Sequence, residues 1–258
     1  MITTWVITGD CHGNMSRFDN YEYPRDGSTG IIILGDAGVN YYLNNRDTSA
    51  KKKLQNSGYI FYLVRGNHEA RPEDCEGVIF EYDDNVTGIV GIDQNYPAIH
   101  YLRDGDVYTF GGHSALVIGG AYSVDKYYRI QKGYPYQWFK NEQLSEEERN
   151  IILERIKGQT YDFVLTHTCP RAWEPVDLFL STISQDSVDK SMENWLDDVK
   201  TQIKYQVWLF GHFHADRIEK HKVQQYYLAS DTIDEIWNRW TNPAGPEWWI
   251  RRSPMSNI

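Results

Sequence analysis

An α/β fold follows from three features of this 258-residue sequence. Five short apolar runs are continuous rather than alternating, as in strands buried on both faces. Capped helical stretches lie between some of them. A turn dipeptide flanked by apolar residues adds a hairpin, and with it a second sheet.

The five runs are Trp5-Val6-Ile7, Ile31-Ile32-Ile33-Leu34, Tyr59 to Val64, Phe163-Val164-Leu165 and Val207-Trp208-Leu209-Phe210. Each runs at once into a polar cluster: Gly9-Asp10-Cys11-His12-Gly13, Gly35-Asp36, Arg65-Gly66-Asn67-His68-Glu69, Thr166-His167-Thr168 and Gly211-His212-Phe213-His214. Ligands of open α/β sheets gather outside the carboxyl ends of the strands, so five strands ending in metal-binding residue types describe one site. Helices are expected over Asp47 to Ser57, about Ser145 to Lys157 and Ser187 to Lys204. In the second, Ser145 and Glu148 make a capping box and Gly158 supplies the stop. Ile99 to Leu102, Asp104-Gly105 and Val107 to Phe110 read as the hairpin, and His113 to Ile118 as a further strand of a second sheet. No linker interrupts the pattern, so one domain over residues 1–258 is expected.

Hydrophobic content of 41% and aromatic content of 14% are those of a globular chain. The net charge of −10 disfavours a sequence-blind grip on nucleic acid, although bound dications would dominate the field near a metal site. The start, Met1 to Ile7, has neither the basic region nor the cleavage site of a signal peptide, and no apolar run approaches the ~20 residues that span a bilayer. Three cysteines without paired spacing make no disulfide framework, and the plain reading is a reducing, cytoplasmic setting.

Oxygen and imidazole donors together suit Mn²⁺, Fe or Zn²⁺. In two-metal sites the ions lie about 3.5–4 Å apart and need a bridging ligand. A carboxylate can bridge and a neutral imidazole cannot, which leaves Asp10 and Asp36 as candidates.

The five clusters, in this order over roughly residues 5 to 215, resemble the calcineurin-like metallophosphoesterases. The resemblance implies a four-layer α/β sandwich of two mixed sheets face to face with helices outside. It implies two divalent ions, Mn²⁺ foremost and Fe, Zn²⁺ or Ni²⁺ as alternatives. It selects Asp36 as the bridge, gives Asp10, His12 and His214 to one metal, and gives Asn67, His167 and His212 to the other. Two dications and two aspartates leave a site of about +2, or about +1 with a bridging hydroxide as nucleophile, which attracts a phosphate. By the same resemblance His68 faces the substrate and assists the leaving alkoxide, with a carboxylate expected behind it, and Asn67 lies on the substrate side as well.

One departure bears on substrate. The protein phosphatase branch carries Gly-Asp-x-x-Asp-Arg-Gly in the second cluster, whereas this chain reads Gly35-Asp36-Ala37-Gly38-Val39-Asn40-Tyr41. The phosphate-holding arginine is missing there, and Arg129 is a candidate replacement. The expectation is a phosphomonoesterase acting on a phosphorylated small molecule or a phosphoprotein. A phosphodiesterase of nucleotides or nucleic acid, and a non-catalytic scaffold, are the alternatives. Elsewhere structural readings come first: His100, His113 and His221 as ordinary histidines, Cys11 as packing, Lys51-Lys52-Lys53 as a solvated face, and Trp237, Trp240, Trp248 and Trp249 as a sheet-edge cover. Arg65 is divided between an ion pair and a phosphate contact.

Overall fold

The computed structural model describes residues 1–179, 181, 184–219 and 222–242. His221, Trp248 and Trp249 lie outside the described residues.

The strands are β1 (Thr4–Thr8), β2 (Thr29–Ile33), β3 (Ile60–Leu63), β4 (Val78–Asp83), β5 (Gly88–Asp93), β6 (Ile99–Leu102), β7 (Val107–Phe110), β8 (His113–Ile118), β9 (Thr160–Thr166), β10 (Lys204–Phe210), β11 (Arg217–Glu219), β12 (Val223–Gln225) and β13 (Ser230–Thr232). The helices are α1 (Asn45–Gln55), α2 (Lys126–Lys132), α3 (Glu146–Ile156), α4 (Ser191–Gln202) and α5 (Ile233–Thr241). Seven strands form one sheet in the order β13-β1-β2-β3-β6-β5-β4, and six form another in the order β11-β12-β10-β9-β8-β7. Both sheets are mixed: β1, β2, β3 and β6 run parallel, as do β8, β9, β10 and β12, with antiparallel strands at the margins.

Alternation along the strands builds the layers, since successive side chains point to opposite faces. Trp5, Ile7, Ile32, Leu34, Tyr62 and Val64 meet Val117, Phe163, Leu165, Val207 and Leu209 between the sheets. Val6, Ile31, Ile33, Phe61 and Leu63 face outward onto Ala50 and Leu54 of α1. Leu116, Ile118, Val164, Trp208 and Phe210 face outward onto Ile152 and Ile156 of α3 and Trp195, Leu196 and Val199 of α4. Strands packed on both faces read as continuous apolar runs for this reason, and the result is the expected four-layer sandwich.

Three expectations need correction. Residues 99–102 and 107–110 are not a hairpin. β6 lies between β3 and β5 in the larger sheet, whereas β7 pairs with β8 in the smaller one. The Asp104-Gly105 connection carries the chain between sheets, and Asp104 holds it there by accepting from Gly119 N at 2.5 Å and Arg65 Nε at 2.9 Å. Hairpins are formed instead by β4–β5 and by β7–β8, the latter turning at Gly111-Gly112. α1 starts at Asn45, capped by the Asn44 side chain, and the Asp47 carboxylate reaches back to the N–H groups of Tyr42 and Leu43. α4 starts at Ser191 rather than Ser187, and Lys204 already belongs to β10. α3 has the expected Ser145–Glu148 capping box.

The remaining structural readings divide. Lys51 is not solvated but sits 2.8 Å from the buried carboxylate of Asp93, while Lys52 and Lys53 are exposed. Arg65 is buried in an ion pair with Asp104. His100 bonds Asp83 at 2.9 Å, and the His113 ring lies 4.3 Å from that of Trp237. Trp237 and Trp240 pack against the inter-sheet core from α5, capped by a Thr232–Glu235 box.

Candidate metal centre

The clusters following β1, β2, β3, β9 and β10 meet at one edge of the sandwich, where the carboxyl ends of both sheets open. The backbone turns sharply there. His12, Asp36, His212 and His214 all have φ between 47° and 69°, a left-handed conformation that costs a non-glycine residue of order 1–3 kcal/mol. Two glycines make the close approaches possible. A Cβ on Gly35 would lie 2.0 Å from His167 Nδ1, and one on Gly66 would lie 1.9 Å from Asp36 Oδ1.

The two buried carboxylates are held alike, each across a seam between clusters. Asp10 Oδ1 accepts from the backbone N–H of His212 at 2.9 Å, and Asp36 Oδ1 from that of His68 at 2.8 Å. Their Oδ2 atoms turn toward imidazoles. Asp10 Oδ2 lies 3.7 Å from His12 Nε2 and 3.4 Å from His214 Nε2. Asp36 Oδ2 lies 3.9 Å from His12 Nε2 and 3.6 Å from His167 Nε2, so it stands between the two groups of donors. His12 Nε2 and His214 Nε2 are 2.8 Å apart and point at a common place. His167 Nδ1 lies 2.8 Å from the Leu34 carbonyl across the sheet interface, where it donates and so aims Nε2 at Asn67 Oδ1, also 2.8 Å away. The His212 ring lies 5.0 Å from the His167 ring.

Electrostatics follow from burial against these contacts. Burial would raise the Asp36 carboxyl, but His167 and His68 outweigh it and hold it well below the carboxylate range. For Asp10, too, the opposing pull of His214 and His167 exceeds burial, and its pKa is lowered. Burial would lower His167, but Asp36 and Asp10 outweigh it and lift it to about 9. His212, buried and beside His167, drops to about 3 and is a neutral donor. The Cys11 thiol is pushed up to about 12 by burial, as befits a packing residue.

Asp10, His12 and His214 offer donor atoms within 4.8 Å of one another, as do Asp10, Asp36 and His167, and also His12, Asp36 and His68. The last group was not anticipated, since His68 was expected only beside the substrate. Asp10 Oδ2 is fully buried yet has no hydrogen-bond partner. A buried carboxylate oxygen without a partner is costly and calls for a cation. The mixed carboxylate, amide and imidazole set also suits borderline divalent ions. The donors therefore fit a pair of divalent metals.

Behind the donors stand residues that strand-end reading could not find. Asn67 Nδ2 donates to Ser123 Oγ at 2.9 Å, and Ser123 Oγ donates to Glu142 Oε2 at 2.5 Å. Arg17 donates to the carbonyl of Asp10 and to that of Tyr227, whose ring stacks on His214. The partner of His68 is a guanidinium rather than the expected carboxylate: Arg129 Nη2 lies 3.0 Å from His68 Nε2, and Asp125 sits behind Arg129. Arg129 is itself buried, with Tyr41 beneath its guanidinium. None of these residues belongs to a strand-end cluster.

No curated protein matches the chain. Among solved structures, a phosphopantetheinyl hydrolase from Mycobacterium tuberculosis is similar at 14% identity, with 99% of this chain and 98% of that chain covered and a TM-score of 0.47. Residues 4–216 match the model of the calcineurin-like phosphoesterases, a stretch that includes all five clusters. The chain belongs to the calcineurin-like phosphoesterase family, whose members use a binuclear divalent metal centre, and is a metal-dependent phosphoester hydrolase.

Proposed function

We propose that the chain is a phosphomonoesterase acting on a phosphorylated small molecule or a phosphoprotein, with Mn²⁺ as its metal. Asp10, His12 and His214 would hold one ion, Asn67, His167 and His212 would hold the other, and Asp36 would be shared between them. The observation that carries this reading is the Asp36 carboxylate, whose Oδ2 lies within 4 Å of imidazoles from both donor groups. Bound divalent ions supply Lewis acidity toward the phosphoryl group and lower the pKa of a water nucleophile.

The chain's own residues then bind, orient and assist departure. A guanidinium N–H needs a lone pair on His68 Nε2, so neutral His68 carries its proton on Nδ1 and offers that N–H to the leaving oxygen. His68 is thus a hydrogen-bond stabiliser of the alkoxide rather than a cationic acid. Arg129 sets that tautomer. Its Nε and both Nη2 hydrogens go to Asp125 and His68 and one Nη1 hydrogen goes to Gln137, which leaves one Nη1 hydrogen for a phosphoryl oxygen. An added donor of this kind favours a doubly charged monoester over a singly charged diester. Three free cysteines support a reducing, cytoplasmic setting, and no described helix is long and apolar enough to cross a membrane.

The test is turnover of p-nitrophenyl phosphate and bis-p-nitrophenyl phosphate with Mn²⁺, Ni²⁺, Zn²⁺ or EDTA. Metal-dependent cleavage with preference for the monoester is expected. Preference for the diester would replace the reading by a phosphodiesterase, and metal binding without cleavage of either would favour a scaffold.

A further inference from the structure

The segment between β8 and α3 closes on itself behind Asn67. Ser123, at its start, is buried and bonds Glu142, near its end, by two contacts: backbone N–H to Oε1 at 3.0 Å and hydroxyl to Oε2 at 2.5 Å. The Glu142 carbonyl accepts from Arg65 Nη1 at 2.6 Å, and Arg65 is anchored by Asp104. Glu142 is thereby held against Ser123.

The direction of these bonds matters more than their number. An ionised carboxylate only accepts, so it takes both hydrogens that Ser123 can give. The Ser123 oxygen can then only accept from Asn67, and the group that Asn67 presents to it must be its NH₂. With the NH₂ held on that side, Oδ1 must face His167 Nε2, the direction from which a cation would be ligated. An amide rotated by half a turn would present a hydrogen donor there instead, and a donor repels a cation. We infer that Ser123 and Glu142 are positioning residues that lock the Asn67 side chain with its oxygen toward one of the two metal positions. The inference rests on the reading of Asn67 as a ligand.

Direction can be tested separately from shape. Glu142→Gln keeps the volume but puts an NH₂ where the carboxylate oxygen was. That NH₂ donates to Ser123, the hydroxyl turns toward Asn67, and the amide rotates. Ser123→Ala removes the contact altogether, whereas Ser123→Thr keeps a hydroxyl. The measurement is Mn²⁺ titration of the full chain by calorimetry, with electron paramagnetic resonance of the exchange-coupled Mn²⁺ pair.

Wild type and Ser123→Thr should take two Mn²⁺ per chain. Ser123→Ala and Glu142→Gln should bind one Mn²⁺ unchanged and the other roughly 10–100-fold more weakly, the usual cost of losing an outer partner of a metal ligand. They should also lose the pair signal at Mn²⁺ levels that saturate wild type. Two Mn²⁺ bound with wild-type affinity in both variants would overturn the inference and leave the metal centre standing. Fewer than two Mn²⁺ in wild type would overturn the ligand reading itself and the inference with it.

Discussion

The two sheets contribute differently to the same site. Clusters at the ends of β1, β2 and β3 bring the carboxylates of Asp10 and Asp36, the amide of Asn67, and His12 and His68. Clusters at the ends of β9 and β10 bring only imidazoles: His167, His212 and His214. The larger sheet therefore supplies the negative charge, and the smaller one supplies nitrogen donors alone. Contacts across the seam, from His167 Nδ1 to Leu34 O and from His212 N to Asp10 Oδ1, align one with the other. Neither half is a binuclear site alone, and the packing of sheet on sheet is the event that assembles it.

Substitutions separate the two contributions. The largest effect should come from the charged side. Asp36→Asn keeps the shape but removes the only proposed bridge, and turnover should fall roughly 10⁴-fold or more, the scale of losing one member of a catalytic unit. Metal analysis should show fewer than two ions per chain, and two ions retained would break the assignment of charge to the larger sheet. His68→Ala should cut turnover by about 10³-fold, within the usual range for acid–base assistance, with metal content unchanged. Wild-type turnover in that variant would remove His68 from the chemistry.

Arg129→Lys keeps the charge but loses the planar fork that reaches Asp125 and His68 together. Its effect should be smaller, about tenfold in kcat, as for loss of one hydrogen bond involving a charged group. A change confined to KM would instead make Arg129 a contact to the ground-state substrate alone.

The smallest expected effect lies away from the site. Burial would raise the Glu148 carboxyl, but Arg71 and the Ser145 cap outweigh it and hold it at about 2. A depressed carboxylate stabilises the fold above its ordinary pKa of 4.5, and that contribution is lost as pH falls from about 4.5 toward 2. Thermal midpoints of Glu148→Gln should show less acid dependence over that window, with turnover at neutral pH unchanged. An unaltered acid limb would show that the Arg71–Glu148 pair contributes nothing.

What the sequence made legible follows from how each part is built. Strands buried on both faces leave continuous apolar runs, and polar residues placed directly after them inherit that signal, so the meeting of Asp10, Asp36, Asn67, His167 and His212 at one edge could be read off. The crossing at Asp104-Gly105 could not. A turn dipeptide between two apolar runs looks the same whether the runs pair with each other or with different sheets, and the difference lies in tertiary pairing, with Asp104 bonded to Arg65 and Gly119 at the crossing. The partners of the donors were hidden for another reason. Ser123 and Glu142 lie on a connecting segment, where side-chain direction is set by tertiary contacts rather than by any period in the sequence; Arg129, on the same segment, stands out by its charge, but its contact with His68 does not.

The central claim is a pair of cations at the seam between the sheets, and anomalous diffraction from crystals soaked in Mn²⁺ tests it most directly. Two peaks about 3.5–4 Å apart are expected, as in binuclear sites generally. One should be flanked by Asp10, His12 and His214, the other by Asn67, His167 and His212, with Asp36 touching both. A single peak, or a pair that Asp36 does not touch, would contradict it.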